Sequence, residues 1–105
     1  MTFNFKDYYA GQIAWYQKQN EFCKGQIAYY SREIKRSREK DRELKEYALS
    51  ERPDDEWTQK VYGGKYISDE TRKNINMRAK YYREIKSNNR VIEKYTKELE
   101  KYGRA

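Results

Sequence analysis

Histidine is absent from this chain of 105 residues, and cysteine and proline each occur once. Without histidine, a Ser–His triad, a histidine general base and a histidine-ligated metal are all excluded. A single cysteine cannot form an intramolecular disulfide, which is typical of proteins in a reducing compartment. The chain also has no P-loop, GxGxxG or CxxC motif. We therefore expect a protein that is not an enzyme and that binds no metal and no cofactor.

Long apolar runs are missing as well. No stretch approaches the roughly 20 apolar residues that span a bilayer. The first residues, MTFNFKDYYAGQ, lack the basic start and apolar core of a secretory signal peptide. We expect no membrane insertion and a cytoplasmic location, which would be the host cytoplasm if the chain is virus-encoded.

The composition is polar but rich in aromatic rings. Charged residues make up 39% of the chain, and the mean hydropathy is -1.42, which is typical of extended helical proteins or of partly disordered ones. Twelve Tyr, two Trp and three Phe argue against disorder, because each ring is a large surface to bury. The length predicts a single domain over residues 1–105.

The segment 69–102 contains the clearest helical pattern, without proline or glycine. Ser68 or Asp69 can cap its start. Its apolar positions recur at alternating spacings of four and three residues, which is the period of a coiled-coil seam: Tyr81, Ile85, Asn88, Ile92, Tyr95, Leu99 and Tyr102. Asn88 is the one polar residue of this seam, and a seam asparagine commonly specifies register or oligomeric state.

The segment 5–50 repeats with the same period over a wider face. Two columns form an ordinary seam with one asparagine: Ile13, Asn20, Ile27 and Ile34, and Tyr9, Tyr16, Cys23 and Tyr30. A third column, called here the aromatic column, lies beyond a row formed by Gln12, Gln19, Gln26 and Glu33; it consists of Tyr8, Trp15, Phe22 and Tyr29. A plain two-stranded coil does not need that column, so we expect it to pack on another helix or on a partner.

Two glycines interrupt the first long helix on the side of the aromatic column. Gly11 and Gly25 each cost about 1 kcal/mol relative to alanine inside a helix. They indicate either a kink or a late start of the helix, or else the close approach of another backbone or ligand beside the rings. Further along, residues 32–46 are almost all charged and predict a solvated helical arm, with Asp41–Lys45 and Arg42–Glu46 as supporting pairs.

The connector, residues 51–68, has two interpretations. Pro53 followed by three acids, with Gly63 as a stop, predicts a short helix over about 53–62. The same stretch could form a small hairpin that turns at Gly63 and Gly64. We favour the helix.

These segments together predict an all-α protein. Two long helices form an antiparallel, coiled-coil-like hairpin with a short structured connector. One hairpin with so many seam tyrosines cannot bury all its rings, so we expect a homodimer that forms a helical bundle. A monomer bound to a partner protein is the alternative.

Positive charge is concentrated in the second long helix. The net charge of the chain is +7, which favours nucleic acid or an acidic protein surface as a partner, although it also promotes solubility. Residues 72 to 90 include seven basic residues and a single acidic one, Glu84. A stripe of Arg72, Arg83, Lys86, Arg90, Lys94, Lys97, Lys101 and Arg104 lies roughly opposite the seam. The candidate nucleic-acid-binding residues are Arg72, Lys73, Arg78, Lys80, Arg83, Lys86, Arg90 and Lys94.

Two functions of different class are consistent with these patterns. The first is a basic helical protein that binds nucleic acid, or a protein–nucleic acid assembly, through the Lys and Arg residues of the second helix. The second is a protein-binding inhibitor or adaptor of the kind encoded by phages and mobile elements. It would occlude a host enzyme with the aromatic column, because Tyr and Trp are favoured interface anchors.

Overall fold

The computed structural model of the chain describes residues 3–103. Three helices lie in that range: α1 (Phe5–Glu51), α2 (Glu56–Tyr62) and α3 (Asp69–Gly103). No strand occurs among the described residues, so the predicted all-α class, with two long helices and a structured connector, is confirmed. Arg104, the last member of the predicted stripe, lies outside the described residues.

Helix α1 begins at a side-chain cap and ends just before the proline. Asn4 Oδ1 accepts a hydrogen bond from the Asp7 amide at 3.2 Å, which satisfies one of the free N–H groups of the first turn. The chain is helical through both Gly11 and Gly25. A Cβ atom built on either glycine would meet nothing within 4 Å, so no neighbouring group within residues 3–103 requires a glycine at these positions.

The connector contains a helix rather than a hairpin, and α2 begins at Glu56 instead of at Pro53. The Asp55 carboxylate is the reason, because it accepts hydrogen bonds from both the amide and the hydroxyl of Thr58 at 2.9 Å. These bonds, the backbone one first, lower the pKa of the Asp55 carboxyl. At the other end, the Gly63 amide donates to the Gln59 carbonyl at 2.8 Å.

The described chain forms two compact units. The terminal unit combines the chain up to Ile27 with the chain from Ala79 onward, and the central unit is Ala28–Arg78. Both long helices pass through both units. The single domain expected from the length stays a prediction.

In the terminal unit, the start of α1 packs against the end of α3 in antiparallel order. Tyr9 contacts Tyr95 and Tyr102, with ring centroids 5.5 and 6.0 Å apart. Further along α1, the Cys23 thiol donates to Glu84 Oε2 at 3.4 Å. Higher numbers on α1 therefore pair with lower numbers on α3, as an antiparallel hairpin requires.

In the central unit, α1 is fastened to the start of α3 by a buried carboxylate. Asp41 Oδ2 accepts from Thr71 Oγ1 at 2.6 Å and from the Ser68 amide at 3.1 Å. Ser68 is the N-cap of α3, since its hydroxyl accepts from the Thr71 amide at 3.2 Å.

The expected Asp41–Lys45 pair was wrong, because Lys45 Nζ instead donates to the Gly64 carbonyl at 2.6 Å. The expected Arg42–Glu46 pair was wrong too, since Arg42 pairs with Glu39 at 3.9 Å.

The most deeply buried side chains are small or polar. Cys23 and Ile34 are the buried apolar residues of the described chain, at 1% and 4% exposure. The buried polar residues include Ser37 and Thr71, and each makes a hydrogen bond. The seam tyrosines Tyr9, Tyr16, Tyr30, Tyr81 and Tyr95 are half-buried. The fold thus relies on satisfied polar contacts and partly covered rings rather than on a large apolar core.

Candidate nucleic-acid interface

Seven of the eight candidate basic residues are exposed on α3. They are Arg72, Lys73, Lys80, Arg83, Lys86, Arg90 and Lys94. Arg78 is half-buried, and its Nη1 donates to Ser31 Oγ on α1 at 3.3 Å. Arg78 therefore makes a contact within the central unit, which leaves its guanidinium less available to a ligand than sequence alone suggested.

Four of these residues form a continuous row in the terminal unit. Arg83, Lys86, Arg90 and Lys94, called here the basic stripe, are spaced by three or four residues and so share one face of α3. Within residues 3–103, no carboxylate lies within salt-bridge distance of any of the four. Within that range these four side chains therefore make no direct ion pair, and a polyanion could displace the counterions around them.

The other described members of the predicted stripe differ because each has an acidic neighbour. Lys97 Nζ lies 3.2 Å from Glu93 Oε1, and Lys101 Nζ lies 3.0 Å from Glu98 Oε1. At the start of the helix, Arg72 lies 4.0 Å from Asp69. The sequence did not distinguish these three residues from the rest of the predicted stripe. The structure does, because the described basic residues without an ion pair occur only in the middle of that stripe, from Arg83 to Lys94.

The aromatic column stays exposed along α1. Tyr8, Trp15, Phe22 and Tyr29 are 42%, 53%, 56% and 46% exposed. Neighbouring seam rings orient several of them: Trp15 meets Tyr16 edge to face at 4.9 Å, and Tyr29 meets Tyr30 in the same way at 5.0 Å. These rings thus combine open surface with a fixed orientation, which lowers the entropy cost of binding a flat ligand.

One cluster joins the aromatic column to the positive charge of α3. The rings of Phe22 and Tyr81 meet edge to face with centroids 6.2 Å apart. Lys80 Nζ lies 5.8 Å from the centroid of the Tyr81 ring, within the range of a cation–π contact. The sequence did not reveal this cluster, because it forms only when the two helices pair in the observed register.

The central unit has a second basic surface that sequence reasoning missed. Arg38, Arg42, Lys45 and Lys65 surround a shallow cavity that is also lined by Asp41, Tyr66 and Ile67. Burial raises the pKa of the Tyr66 phenol, and nearby Tyr62 and Asp41 add to the shift. Three of the four basic residues belong to the segment predicted to be a solvated arm, and only the folding of Lys65 toward α1 makes them part of a cavity.

Among residues 3–103, no three acidic or cysteine side chains cluster closely enough to hold a metal ion. None of the helices described is both long and apolar enough to cross a membrane. Comparison of the chain with protein-family models, curated proteins and solved structures gave no match.

Proposed function

We propose that the chain is a non-enzymatic nucleic-acid-binding protein that contacts phosphates through the basic stripe of α3. The supporting observation is that Arg83, Lys86, Arg90 and Lys94 are exposed and, among the described residues, have no acidic partner. A face that serves solubility usually mixes both signs, as α3 does around the ion-paired Lys97 and Lys101. Each phosphate that the stripe neutralises releases a counterion, so binding should weaken steeply with salt.

The test reverses three charges of the stripe and compares the result with a matched control. The variant is Arg83→Glu, Lys86→Glu and Arg90→Glu. The control reverses three exposed lysines of α1, Lys6, Lys35 and Lys40. Each triple variant lowers the net charge of +7 by the same amount, so only the position of the charge differs between them.

The measurement is the fluorescence anisotropy of labelled oligonucleotides at several salt concentrations. We expect the stripe variant to lose binding and the control to keep most of it. Three lost phosphate contacts should flatten the slope of log affinity against log salt by about 2 to 3. Circular dichroism checks that both variants remain helical. Equal affinity of the two variants would show that overall charge, and not the stripe, determines binding.

A second function is supported by the exposure of the aromatic column. We propose as the alternative a protein-binding adaptor or inhibitor that occludes a host enzyme with Tyr8, Trp15, Phe22 and Tyr29. Exposed Tyr and Trp residues are frequent interface anchors. Here the double variant Trp15→Ala, Tyr29→Ala should lose its partner in a pull-down. The control is Tyr47→Ala, Trp57→Ala, whose rings are exposed by 65% and 64% outside the column. Capture that survives loss of the column rings would count against this alternative.

We also propose that the chain forms the homodimer expected from its sequence. Half-buried seam rings such as Tyr16 and Tyr95 would gain further cover in a four-helix bundle, which favours self-association. Light scattering of the full chain over a range of concentrations measures its mass. A monomeric mass at every concentration would refute the dimer, and it would leave nucleic-acid binding by the stripe unaffected.

A further inference from the structure

Stacking surface and uncompensated charge occur together in the terminal unit. The Phe22 ring is 56% exposed, and its neighbour across the helix pair, Tyr81, lies beside the ammonium group of Lys80. Lys80 has no acidic partner among residues 3–103. A ligand that lies on Phe22 would therefore have a cation within reach, as a nucleotide requires for its base and its phosphate.

A second ring extends this surface along α1. Trp15 precedes Phe22 by one heptad, which corresponds to about 10 Å along the helix. The Trp15 ring is 53% exposed and packs at 89° against Tyr16, so its faces are oriented before any ligand binds. The half-buried Gln19 belongs to the row beside the column, and its amide can donate to and accept from the edges of unpaired bases.

The combination distinguishes between two kinds of nucleic acid. In a duplex the base faces are stacked on each other, so exposed rings have nothing to bind and only the phosphates are available. In a single strand the bases can stack on aromatic side chains while basic residues follow the backbone. Basic residues alone would suit both forms, whereas the exposed rings of Trp15 and Phe22 suit only the unpaired one.

Charge also favours this occupant over a protein. Lys80, Arg83 and Lys86 are exposed cations without acidic partners in the described chain, and all lie in the same unit as the rings. We infer that the terminal unit binds single-stranded nucleic acid, with unpaired bases stacked on Trp15 and Phe22 and phosphates on Lys80 and the basic stripe. This inference rests on the proposed function, because it names the class of nucleic acid that the stripe recognises.

The first experiment compares one mixed sequence as a labelled single strand and as a duplex. Wild-type protein should bind the single strand at least about ten-fold more tightly than the duplex. The variant Trp15→Ala, Phe22→Ala should lose about ten-fold in single-strand affinity for each ring removed. Its duplex affinity should stay within about two-fold, since phosphate contacts determine that binding. The control is again Tyr47→Ala, Trp57→Ala, which removes two exposed rings of the central unit.

A second readout detects the stacking itself. The chain has two tryptophans, so Trp57→Phe leaves Trp15 as the one tryptophan. Its fluorescence should be quenched by the single strand and much less by the duplex. Retention of full fluorescence at saturating single strand would show that no base lies on Trp15.

The outcomes separate this inference from the proposed function. Equal affinity for single strand and duplex, or no effect of removing the rings, would overturn the inference while leaving the basic stripe as a phosphate-binding site. No binding to either form would overturn the proposed function and the inference with it. Loss of self-association in the ring variant, with single-strand binding unchanged, would assign the rings to a second copy of the chain and overturn the inference.

Discussion

Asn88 on α3 donates a hydrogen bond from Nδ2 to Oδ1 of Asn20 on α1 at 3.0 Å. Asn20 in turn donates from Nδ2 to Asn89 Oδ1 at 2.8 Å, and it is only 8% exposed. The single asparagine of one predicted seam thus meets the single asparagine of the other. A shift of either helix along the other would break this pair. Because a buried amide without a partner costs free energy, such a shifted register would be less stable. The pair therefore helps to specify the register of the terminal unit.

The first prediction concerns this asparagine pair. Asn20→Leu or Asn88→Leu alone should destabilise the chain by about 1 to 3 kcal/mol. The first variant leaves Asn88 Nδ2 without its acceptor, and the second leaves the buried Oδ1 of Asn20 without its donor. The double variant should cost much less than the sum of the two single variants. Urea unfolding of the four proteins measures this coupling.

Additive costs in that cycle would mean that the two amides act independently. We also expect the double variant to be less uniform in oligomeric state, since a polar seam residue commonly limits the allowed pairings. Sedimentation of the same four proteins checks this point.

The second prediction concerns acid stability. Burial alone would raise the pKa of Asp41, but hydrogen bonds from Thr71 and Ser68 outweigh it and lower the pKa below its ordinary value. A carboxyl whose folded pKa is depressed contributes stability above its unfolded pKa, and this contribution is lost as pH falls through the folded pKa. Wild type should therefore exceed Asp41→Asn in stability at pH 7, and the difference should shrink below about pH 4.

Thermal unfolding at a series of pH values measures this difference. The control is Asp54→Asn, because Asp54 is exposed in the turn before α2. A constant difference between wild type and Asp41→Asn down to pH 2 would show that ionisation of Asp41 does not contribute.

The third prediction concerns the glycines of α1. Gly11→Ala and Gly25→Ala should each stabilise the chain by about 1 kcal/mol, since alanine is the better helix former and a Cβ meets nothing within 4 Å at either position. Gly63→Ala is the contrast, because its Cβ would clash with the backbone carbonyl of Gln59, and it should destabilise the chain. Melting temperatures rank the three variants, and a loss of stability in Gly25→Ala would mean that a partner copy occupies that space.

The fourth prediction concerns the thiol of Cys23. It is 1% exposed, and burial, followed by the hydrogen bond and charge of Glu84, raises its pKa. A thiolate is the reactive form, so a disulfide reagent such as DTNB should modify the folded chain on the order of 100-fold more slowly than the urea-unfolded chain. Absorbance of the released thiolate gives both rates. Rapid modification of the native chain would contradict the packing of Cys23 against α3.

The long helices could be predicted because their signals are local. The 3.5-residue period, the lack of proline before Pro53 and the capping groups at Ser68 all act within a few residues along the chain. The predicted spans 5–50 and 69–102 each end one residue before the observed helices, which are Phe5–Glu51 and Asp69–Gly103. The start of α2 was misplaced because the Asp55 side chain, rather than Pro53, provides the first cap.

The candidate site was predictable only in part. The sequence alone determined that the chain forms two long amphipathic helices, one with an extra aromatic column and one rich in positive charge. The tertiary structure determined that Asn20 is hydrogen-bonded to Asn88 and that Asp41 accepts a hydrogen bond from Thr71. It also determined that Phe22 contacts Tyr81, the ring beside Lys80. These contacts join residues 30 or more positions apart. The physical reason is that helix periodicity depends on neighbours within one or two turns, whereas such contacts depend on the register in which two helices pair.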